Sequence, residues 1–345
     1  MNLGIGSVSP YADRLNKPNF GYEDIKVSKL LVHPIKSCRG TSVQSCRYTP
    51  EGFENDRRWA IIDEKHVVVT AREKAKMVLI TPKVEVAENS PHGGFLRVSF
   101  PKDSGCEEFM VPLRPTEEVL STWKLIDAIK LWNSSVDGYI CETLPSMPTA
   151  SGRSPSSILS EYLEAPVQLV YKGGRPRPCD ETSSFPELKA TTDYQDGYPL
   201  LVLSEENVEA VEKELRGHVG TQGIEERWTT DKILVERFRP NIVLRGAGPF
   251  EEDNWEEIGI GTDTSTAASN PGILLVSKCA RCLLPNVCTE TGVRDKAVPF
   301  KVLMKFRTGV DPENKWKPCV GCNGVPLAEG VISVGDTVVV RKMIV

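Results

Sequence analysis

Two pairs of closely spaced cysteines have the clearest capacity for chemistry in this chain. Cys279 and Cys282 are separated by two residues, and Cys319 and Cys322 repeat that spacing. Two such pairs can present four sulfurs to a tetrahedral zinc ion, although residues 283–318 make the gap about twice that of a zinc ribbon. A redox dithiol and a set of small buried side chains are further interpretations that the spacing leaves open.

Basic and amide side chains that can hold an anion lie in three short motifs. HPIKSCRG places Lys36 and Ser37 on a turn after a strand, where an ammonium, a hydroxyl and backbone amides can all donate. ENDRRWAIID contains Arg57 and Arg58, and either planar guanidinium could bind an oxyanion or only pair with Asp56. FRPNIV places Arg239 and Asn241 on either side of a proline. Each motif alone is equally consistent with a structural turn.

Composition excludes several classes of function. A net charge of -5 argues against a protein that coats nucleic acid, so no nucleic-acid partner is expected. Ten cysteines without a secretory signal indicate reduced thiols in an intracellular compartment. The four histidines are scattered, which makes a histidine-rich metal site unlikely to be encoded. An esterase elbow, a phosphate-binding P-loop and a dinucleotide fingerprint are all absent from the sequence.

The segments that must position these residues indicate a mixed, β-rich chain. Short strand-like runs separated by turn signals fill residues 27–100, which predicts a barrel or sandwich. These runs are VSKLLVHPI, CRYTP, RRWAIID, HVVVTA, MVLITPKVEV and FLRVSF. Helices are predicted at SPSSILSEYLEAP and SEENVEAVEKELRG, where Ser154 and Ser204 can cap the first turn, and at PFKVLMKFR. GTDTSTAASNPG at 261–272 is expected to be a mobile loop.

Composition also predicts how the chain is divided into a leader and two domains. Residues 1–24 are interpreted as a flexible leader, because no basic start is followed by an apolar run. The turn-rich stretch KGGRPRPCDETSS separates one domain over 25–170 from a second over 171–345. No segment approaches the roughly 18 to 20 uninterrupted apolar residues that span a bilayer, so no integral membrane segment is expected.

Taken in order, the motifs resemble the MOSC-domain family and, within it, the mitochondrial amidoxime-reducing components. The resemblance runs over about residues 25–342. It rests on HPIKSCRG, GFENDRRWAIID, VVVTARE, YQDGYPLLVLSEENVEAV, FRPNIVLRG with EEDNWEEIGIG, KCARCLLPNVCTETG and GVISVGDTVVV. It implies an α+β, β-rich fold: an N-terminal MOSC β-barrel-like domain with a helical segment, and a C-terminal MOSC domain with a mixed β-barrel core and flanking helices.

The same resemblance implies a molybdenum-molybdopterin cofactor bound between the two domains. In the family the metal is held by the pterin dithiolene and by one cysteine in a setting that Arg281-Cys282-Leu283-Leu284 matches. Cys282 is therefore the predicted metal ligand and catalytic residue, and a soft thiolate suits the metal. Asp196 is a predicted proton carrier. The cofactor contacts implied are Lys36, Ser37, Arg57, Asp196, Gly197, Tyr198, Arg239, Asn241, Ala280, Arg281 and Asn323.

Some of these positions depart from the family's pattern. Ala280 stands where relatives have a serine, and Gly197 and Tyr198 stand where small hydroxyl residues are usual. Cys322 and Asn323 occupy a segment that is aromatic-Gly-Gln in relatives. The resemblance therefore implies the location of the cofactor contacts more firmly than their chemistry.

The function implied is the two-electron removal of oxygen from small N-hydroxylated substrates such as amidoximes and hydroxylamines, independent of pyridoxal phosphate. Because the chain has no flavin, haem or iron-sulfur motif, electrons must come from a partner, by family analogy cytochrome b5 and NADH-cytochrome b5 reductase. A cytoplasmic or mitochondrially associated monomer is expected. Two alternatives stay open: a carrier of the sulfurated cofactor without turnover, and a zinc-stabilised interaction module that uses the two cysteine pairs.

Overall fold

The computed structural model describes residues 24–344, so the predicted leader lies outside the described residues apart from Asp24. Within this range the chain forms twenty strands and five helices. The strands are β1 Lys26–Val32, β2 Thr41–Val43, β3 Ser45–Thr49, β4 Gly52–Phe53, β5 Trp59–Asp63, β6 Thr81–Val86, β7 Gly94–Ser99, β8 Phe109–Pro112, β9 Leu125–Leu131, β10 Ser134–Ile140, β11 Val167–Lys172, β12 Arg177–Pro178, β13 Thr191–Thr192, β14 Leu200–Ser204, β15 Ile242–Arg245, β16 Trp255–Gly261, β17 Ile273–Ala280, β18 Cys319–Pro326, β19 Gly330–Ser333 and β20 Thr337–Met343. The helices are α1 Glu117–Thr122, α2 Pro155–Leu163, α3 Glu205–Arg216, α4 Thr264–Ser269 and α5 Phe300–Phe306.

The largest sheet closes into a mixed barrel. Its strand order is β15-β14-β18-β17-β16-β20-β1-β2, and β15 pairs again with β1 to close a ring of seven strands. The β14 and β15 pair is parallel, with Val202 opposite Ile242, whereas the other neighbours are antiparallel. Closure removes the exposed edges of a flat sheet, and alternate side chains such as Leu200 and Leu275 fill the interior. The predicted mixed β-barrel core is thus confirmed.

The other large part of the structure packs smaller antiparallel sheets around a second core. The sheet β5-β11-β10-β9 and the sheet β6-β7-β8 surround apolar side chains that include Trp59, Leu96 and Phe109. In β7 every second residue is buried, which is the alternation of a strand with one face on a core. Helix α2 covers this core with Ile158 and Leu159.

The first strand joins the two parts and thereby positions the candidate site. Strand β1 belongs to the barrel, but after Val32 the chain leaves it and Ile35 bridges to Trp59 of β5. The backbone amide of Lys36 donates to the carbonyl of Trp59 at 2.9 Å. The turn that contains Lys36 and Ser37 therefore lies where the barrel meets the smaller sheets.

Three helices predicted from capping and periodicity are confirmed. Ser154 accepts a hydrogen bond from the backbone of Ser157 and begins α2, and Ser204 does the same for Asn207 in α3. The third predicted helix is α5. Both serine caps satisfy a backbone N–H that the first helical turn leaves without a partner, and this local rule explains why the predictions succeeded.

Three local predictions were wrong. The expected loop at 261–272 contains α4, because Asp263 and Thr266 form a reciprocal capping box and Ala267 packs inward. The run HVVVTA is held by the isolated bridges at Val67 and Val68 rather than by a strand. MVLITPKVEV is divided into a 3-10 turn and β6, with Ile80 between them.

No helix within residues 24–344 combines the length and the apolar character that crossing a membrane requires.

Candidate functional site

A cavity of about 250 Å³ opens where the barrel meets the smaller sheets. Every residue predicted as a cofactor contact lines it, and so does Cys282. The walls come from the turn after β1, the segments just before and after β5, and the turn between β9 and β10. They are completed by the loop before β14 and its first residues, the turn before β15, the end of β17 with the turn after it, and the middle of β18. The structure therefore gathers around one cavity residues that are widely separated in sequence, while their binding roles stay predictions.

Lys36 and Asp196 form an ion pair on one wall. Lys36 Nζ donates to Asp196 Oδ1 at 2.7 Å and to the carbonyl of Tyr194 at 2.7 Å. Burial lowers the pKa of Lys36 to about 8, although the carboxylate of Asp196 partly opposes this shift. Around Asp196 desolvation favours the neutral acid, but the charges of Lys36 and Arg57 outweigh it and lower the pKa. Asp196 is thus held ionised, with 74% of its side chain exposed to the open cavity.

Arg57 is held in position by two side chains and a carbonyl. Its Nη1 donates to Asp56 Oδ2 at 2.6 Å and to Asn241 Oδ1 at 3.2 Å, and its Nη2 donates to the carbonyl of Arg239 at 3.1 Å. Asn241 also donates from Nδ2 to the carbonyl of Leu31 at 3.2 Å. The amide of Asn241 is therefore engaged in joining β1 to the turn before β15 and in orienting Arg57.

Arg239 is a buried cation with an unused donor. Its backbone is left-handed, with φ 58°, at the proline-containing turn before β15. Nη1 donates to the carbonyl of Cys38 at 2.6 Å, whereas the buried Nη2 has no hydrogen-bond partner among the described residues. Burial, and then the nearby charge of Arg57, lower the pKa of Arg239 to about 10. Because a buried cation without a full set of acceptors is costly, this nitrogen marks a place for an anion.

Cys282 lies in the turn that follows β17. It is exposed, whereas the chain's other cysteines are buried or half-buried, and its Sγ accepts a hydrogen bond from the backbone of Leu284 at 3.4 Å. Arg281 beside it is buried and donates from Nη2 to the carbonyl of Phe238 at 2.6 Å. That bond ties the cysteine turn to the turn before β15, and Arg281 acts here as a brace.

The loop before β14 is also braced from outside the cavity. Arg177 donates to the carbonyls of Asp193 and Gln195 at 2.9 Å each, and to that of Asp196 at 2.6 Å. Tyr198 lines the cavity but uses its hydroxyl to donate to the carbonyl of Asp180 at 3.1 Å. The sequence did not point to the role of Arg177, because its acceptors are backbone atoms brought close only by the fold.

Among the remaining predicted contacts, Ser37 has a left-handed backbone with φ 68°, and Gly197 has open space where a side chain would extend. Ala280 pairs with Cys319 across β17 and β18. Asn323 donates from Nδ2 to Ser277 Oγ at 3.0 Å. These residues contribute to the wall of the cavity, whereas most of the hydrogen-bond donors of the lining belong to its basic side chains.

Several lining residues were not singled out from the sequence. Arg72 lies with its guanidinium carbon 4.0 Å from the ring centre of Trp132, and both line the cavity. Arg72 belongs to the motif VVVTARE, which contributed to the family resemblance, but no residue of that motif was given a role. Trp132 had no local signal. The other lining residues missed are Thr70, Gln195, Leu200, Leu201 and Phe238, whereas Cys279 was considered only in the cysteine pair and Leu284 only in the match of the Cys282 segment.

The two cysteine pairs do not form a zinc site. Cys279 Sγ accepts a hydrogen bond from Arg281 at 3.0 Å, and the buried Cys322 donates to the carbonyl of Glu252 at 3.3 Å. Across residues 24–344, no three or more His, Cys, Asp or Glu side chains are grouped so as to hold a metal ion. The zinc-stabilised module loses its structural basis because such a grouping is missing among the described residues, not because of disulfides, since all ten cysteines are free.

Comparison with known proteins gives two matching family models. The model of the MOSC N-terminal beta barrel domain matches residues 24–152, and the model of the MOSC domain matches residues 189–339. Together these two ranges contain every residue that lines the cavity.

Curated relatives resemble nearly the whole chain. Mitochondrial amidoxime-reducing component 1 of Danio rerio is 29% identical, over 97% of this chain and 90% of that protein. The protein of the same name from Homo sapiens is 26% identical, over 90% of this chain and 82% of that protein. Molybdenum cofactor sulfurase of Danio rerio is 27% identical over 82% of this chain, but the match covers only 30% of that protein.

Proposed function

Because the chain belongs to the MOSC-domain family, we propose that it binds a molybdenum-molybdopterin cofactor in this cavity and reduces small N-hydroxylated substrates by two electrons. One observation carries the proposal: the exposed Cys282 lines the same cavity as Arg239, whose buried Nη2 has no hydrogen-bond partner among the described residues. A single bound molecule could therefore have its metal coordinated by the soft thiolate and its anionic group bound by the guanidinium.

The residues present fit such a cofactor. Lys36, Arg57, Arg72, Arg239 and Arg281 supply five cations to the lining, against one carboxylate from Asp196. The unpartnered Nη2 of Arg239 requires an acceptor that the described protein does not provide. A phosphate-bearing pterin with a thiophilic metal would meet both demands, since phosphate accepts charge-assisted hydrogen bonds and the thiolate coordinates the metal.

The chain's own residues then have distinct tasks. Cys282 Sγ would hold the metal, and Arg239 would hold the phosphate. Arg57 and Asn241 keep the turn of Arg239 in place, since Arg57 donates to its carbonyl at 3.1 Å. When bound, the cofactor would supply the two-electron chemistry by which the N-hydroxyl group is reduced.

Proton supply is assigned to the ion pair on the cavity wall. With a pKa of about 8, Lys36 carries a proton at neutral pH and can release it more readily than an ordinary lysine. Asp196, predicted as the proton carrier, has a lowered pKa and therefore keeps its charge. We assign to Lys36 Nζ the proton that is donated, and to Asp196 the task of orienting the ammonium and of keeping its pKa from falling further.

Electrons must reach the cavity from another protein, since the sequence has no motif for a second redox group. The family resemblance points to cytochrome b5 and NADH-cytochrome b5 reductase as the donor system. This part of the proposal is tested by reconstitution: turnover with NADH should require both proteins, and an artificial dye should replace them.

A carrier of the cofactor is the second candidate function. It is favoured by the match to the Danio rerio molybdenum cofactor sulfurase, of which this chain resembles only a 30% portion. A carrier would use the same Cys282 and Arg239 contacts, would bind the cofactor reversibly, and would not turn over a substrate.

Metal and pterin content decides between these functions. Wild type, Cys282→Ala and the matched control Cys322→Ala are purified from a host that makes molybdopterin, and each is assayed with reduced dye and benzamidoxime. We expect about one molybdenum per chain and turnover in wild type and in the control, with both lost in Cys282→Ala. Molybdenum without turnover in wild type would favour the carrier, and zinc without molybdenum would contradict both.

A further inference from the structure

Arg72 is the fifth cation of the cavity lining, and the proposed cofactor contacts leave it unused. Its guanidinium stacks on the ring of Trp132 at 4.0 Å, and the ammonium of Lys36 lies 5.5 Å from the same ring. No carboxylate within residues 24–344 forms an ion pair with Arg72. Stacking leaves the N–H edge of the guanidinium free, and that edge matches the two oxygens of a carboxylate.

Trp132, on which Arg72 stacks, has a backbone conformation that a tryptophan rarely adopts. Trp132 and Asn133 form the two-residue turn between β9 and β10, where Leu131 pairs with Ser134. Trp132 has φ 54°, a left-handed conformation that turns usually assign to glycine or asparagine and that is uncommon for a bulky side chain. Strain of this kind concentrates at functional sites. A hairpin chosen for stability alone would not place an indole there.

Depth separates Arg72 from the cations assigned to the cofactor. Arg57 and Arg239 are each 9% exposed, whereas Arg72 is half-buried and Trp132 is 39% exposed. Arg294 donates to the carbonyls of Ala71 and Arg72 and adds further positive charge to this side. The deep cations suit the cofactor's phosphate, and the more exposed Arg72 is available to a group that lies closer to the surface.

We propose that Arg72, held by Trp132, binds a carboxylate on the substrate, so that the substrates are N-hydroxylated compounds that also carry an acidic group. This inference rests on the proposed function. Reduction consumes the N-hydroxyl group, whereas the carboxylate is bound and not changed. Arg72 is therefore a specificity-determining residue, and Trp132 is a positioning residue that acts through Arg72.

Calorimetric titration of the molybdenum-loaded protein tests this without turnover. The probes are benzamidoxime and 4-carboxybenzamidoxime, which differ only in the charged group. Wild type should bind the carboxylated probe about tenfold more tightly than the neutral one, the difference that one charge-assisted contact gives. Arg72→Gln should remove this preference, so that the two probes bind with about equal affinity. Lys74→Gln, the control, removes a charge from the same segment outside the cavity and should keep the preference for the carboxylated probe.

Variants of Trp132 separate a positioning role from a merely structural one. Trp132→Phe keeps a ring under the guanidinium and should retain most of the preference, whereas Trp132→Ala should lose it. In turnover assays Arg72→Gln should raise KM for the carboxylated substrate about tenfold, with kcat unchanged.

Equal affinity of wild type for the two probes would overturn the proposal. Loss of molybdopterin from Arg72→Gln would also overturn it, because Arg72 would then be a cofactor contact. Preferential binding of 4-carboxybenzamidoxime without any turnover would leave the Arg72 subsite standing and contradict the reductase function itself.

Discussion

Lys36 Nζ lies 2.7 Å from Asp196 Oδ1, although the two residues are 160 positions apart in the chain. The contact joins the turn after the first barrel strand to the loop before β14, at the wall of the cavity. Burial lowers the pKa of Lys36 to about 8, and Asp196 prevents a larger fall. The interaction with Asp196 therefore helps to set the pH at which the ammonium of Lys36 loses its proton.

Activity should decline as the pH rises through about 8, because Lys36 then loses the proton that it donates. Lys36→Arg keeps its charge to higher pH, so the decline should move upward or disappear, at some loss of kcat. The measurement is the pH profile of kcat/KM for benzamidoxime with a reduced dye. Lys74→Arg is the matched control and should reproduce the wild-type profile; an unshifted decline in Lys36→Arg would exclude Lys36 as its source.

Asp196→Asn should move the same decline toward lower pH. Removal of the carboxylate takes away the main influence that raises the pKa of Lys36, while burial continues to lower it. A displacement of about one pH unit is expected for a lost charge at this distance. Asp196→Glu, which restores a carboxylate, should move the profile back toward wild type. If the decline of Asp196→Asn moved toward higher pH instead, Asp196 would not be acting by raising the pKa of Lys36.

The sequence singled out candidate site residues where the signal is local. The turn of Lys36, the pair Arg239 and Asn241, and the Arg281-Cys282 segment are short motifs whose residue types already limit their chemistry. The structure brings all of them to one cavity. Capping rules likewise predicted α2 and α3, because the serines act on amides only three residues away.

What the sequence missed depends on contacts between distant segments. Arg72 and Trp132 meet only because the β9 to β10 hairpin folds over the segment after β5, and neither residue has a local signal for that contact. The run HVVVTA has strand composition, but the fold provides only isolated bridges for it. Helix α4 was missed because its Ser, Thr and Ala composition resembles a loop until the Asp263 capping box is considered.

Arg239→Gln should abolish stabilisation of the cofactor-free protein by pyrophosphate. The unpartnered Nη2 of Arg239 is the donor that an anion would satisfy, and a ligand at about 100 times its Kd stabilises by about 2.7 kcal/mol. The measurement is the melting temperature across a pyrophosphate titration. Arg245→Gln, the same change of charge at an exposed position at the end of β15, should respond as wild type does. An equal response from all three proteins would place the anion elsewhere.

Asp56→Asn should destabilise the fold by about 3 kcal/mol, because it leaves the buried guanidinium of Arg57 without its counter-ion. Asp56 accepts from the backbone of His33 at 2.7 Å and from Arg57 at 2.6 Å. Desolvation alone would raise the pKa of Asp56, but the attraction of Arg57 and the His33 bonds outweigh it and lower the pKa.

The sign of the pH effect follows from this lowered pKa. The stabilisation is fully present above the ordinary pKa of 3.8 and is lost as the pH falls through the lower folded value. In urea unfolding, the free energy of unfolding of wild type should therefore exceed that of Asp56→Asn by the full amount at neutral pH and by less in acid. The exposed Asp127→Asn is the control and should lie within about 0.5 kcal/mol of wild type. A difference that does not narrow in acid would contradict an ionised Asp56.

Glu252→Gln should remove a pH dependence of stability that wild type shows between about 4.5 and 8. Glu252 is completely buried behind β18, Asn207 donates to its Oε1, and its Oε2 has no hydrogen-bond partner among the described residues. Burial, and then the charge of Asp253, raise its pKa to about 8. At neutral pH the native state thus keeps a proton that the unfolded chain releases, so stability falls as the pH rises.

The expected slope is up to about 1.4 kcal/mol per pH unit, and it should end near the raised pKa, above which both states are ionised. Glutamine keeps the acceptor for Asn207 but cannot ionise, so Glu252→Gln should be the more stable protein above neutral pH. Chemical unfolding of the cofactor-free protein at four pH values measures this, with the exposed Glu209→Gln as control. If Glu252→Gln retained the wild-type slope, the proton would have to lie on another buried group, and the neighbouring pair of Asp253 and Arg307 would be the next to replace.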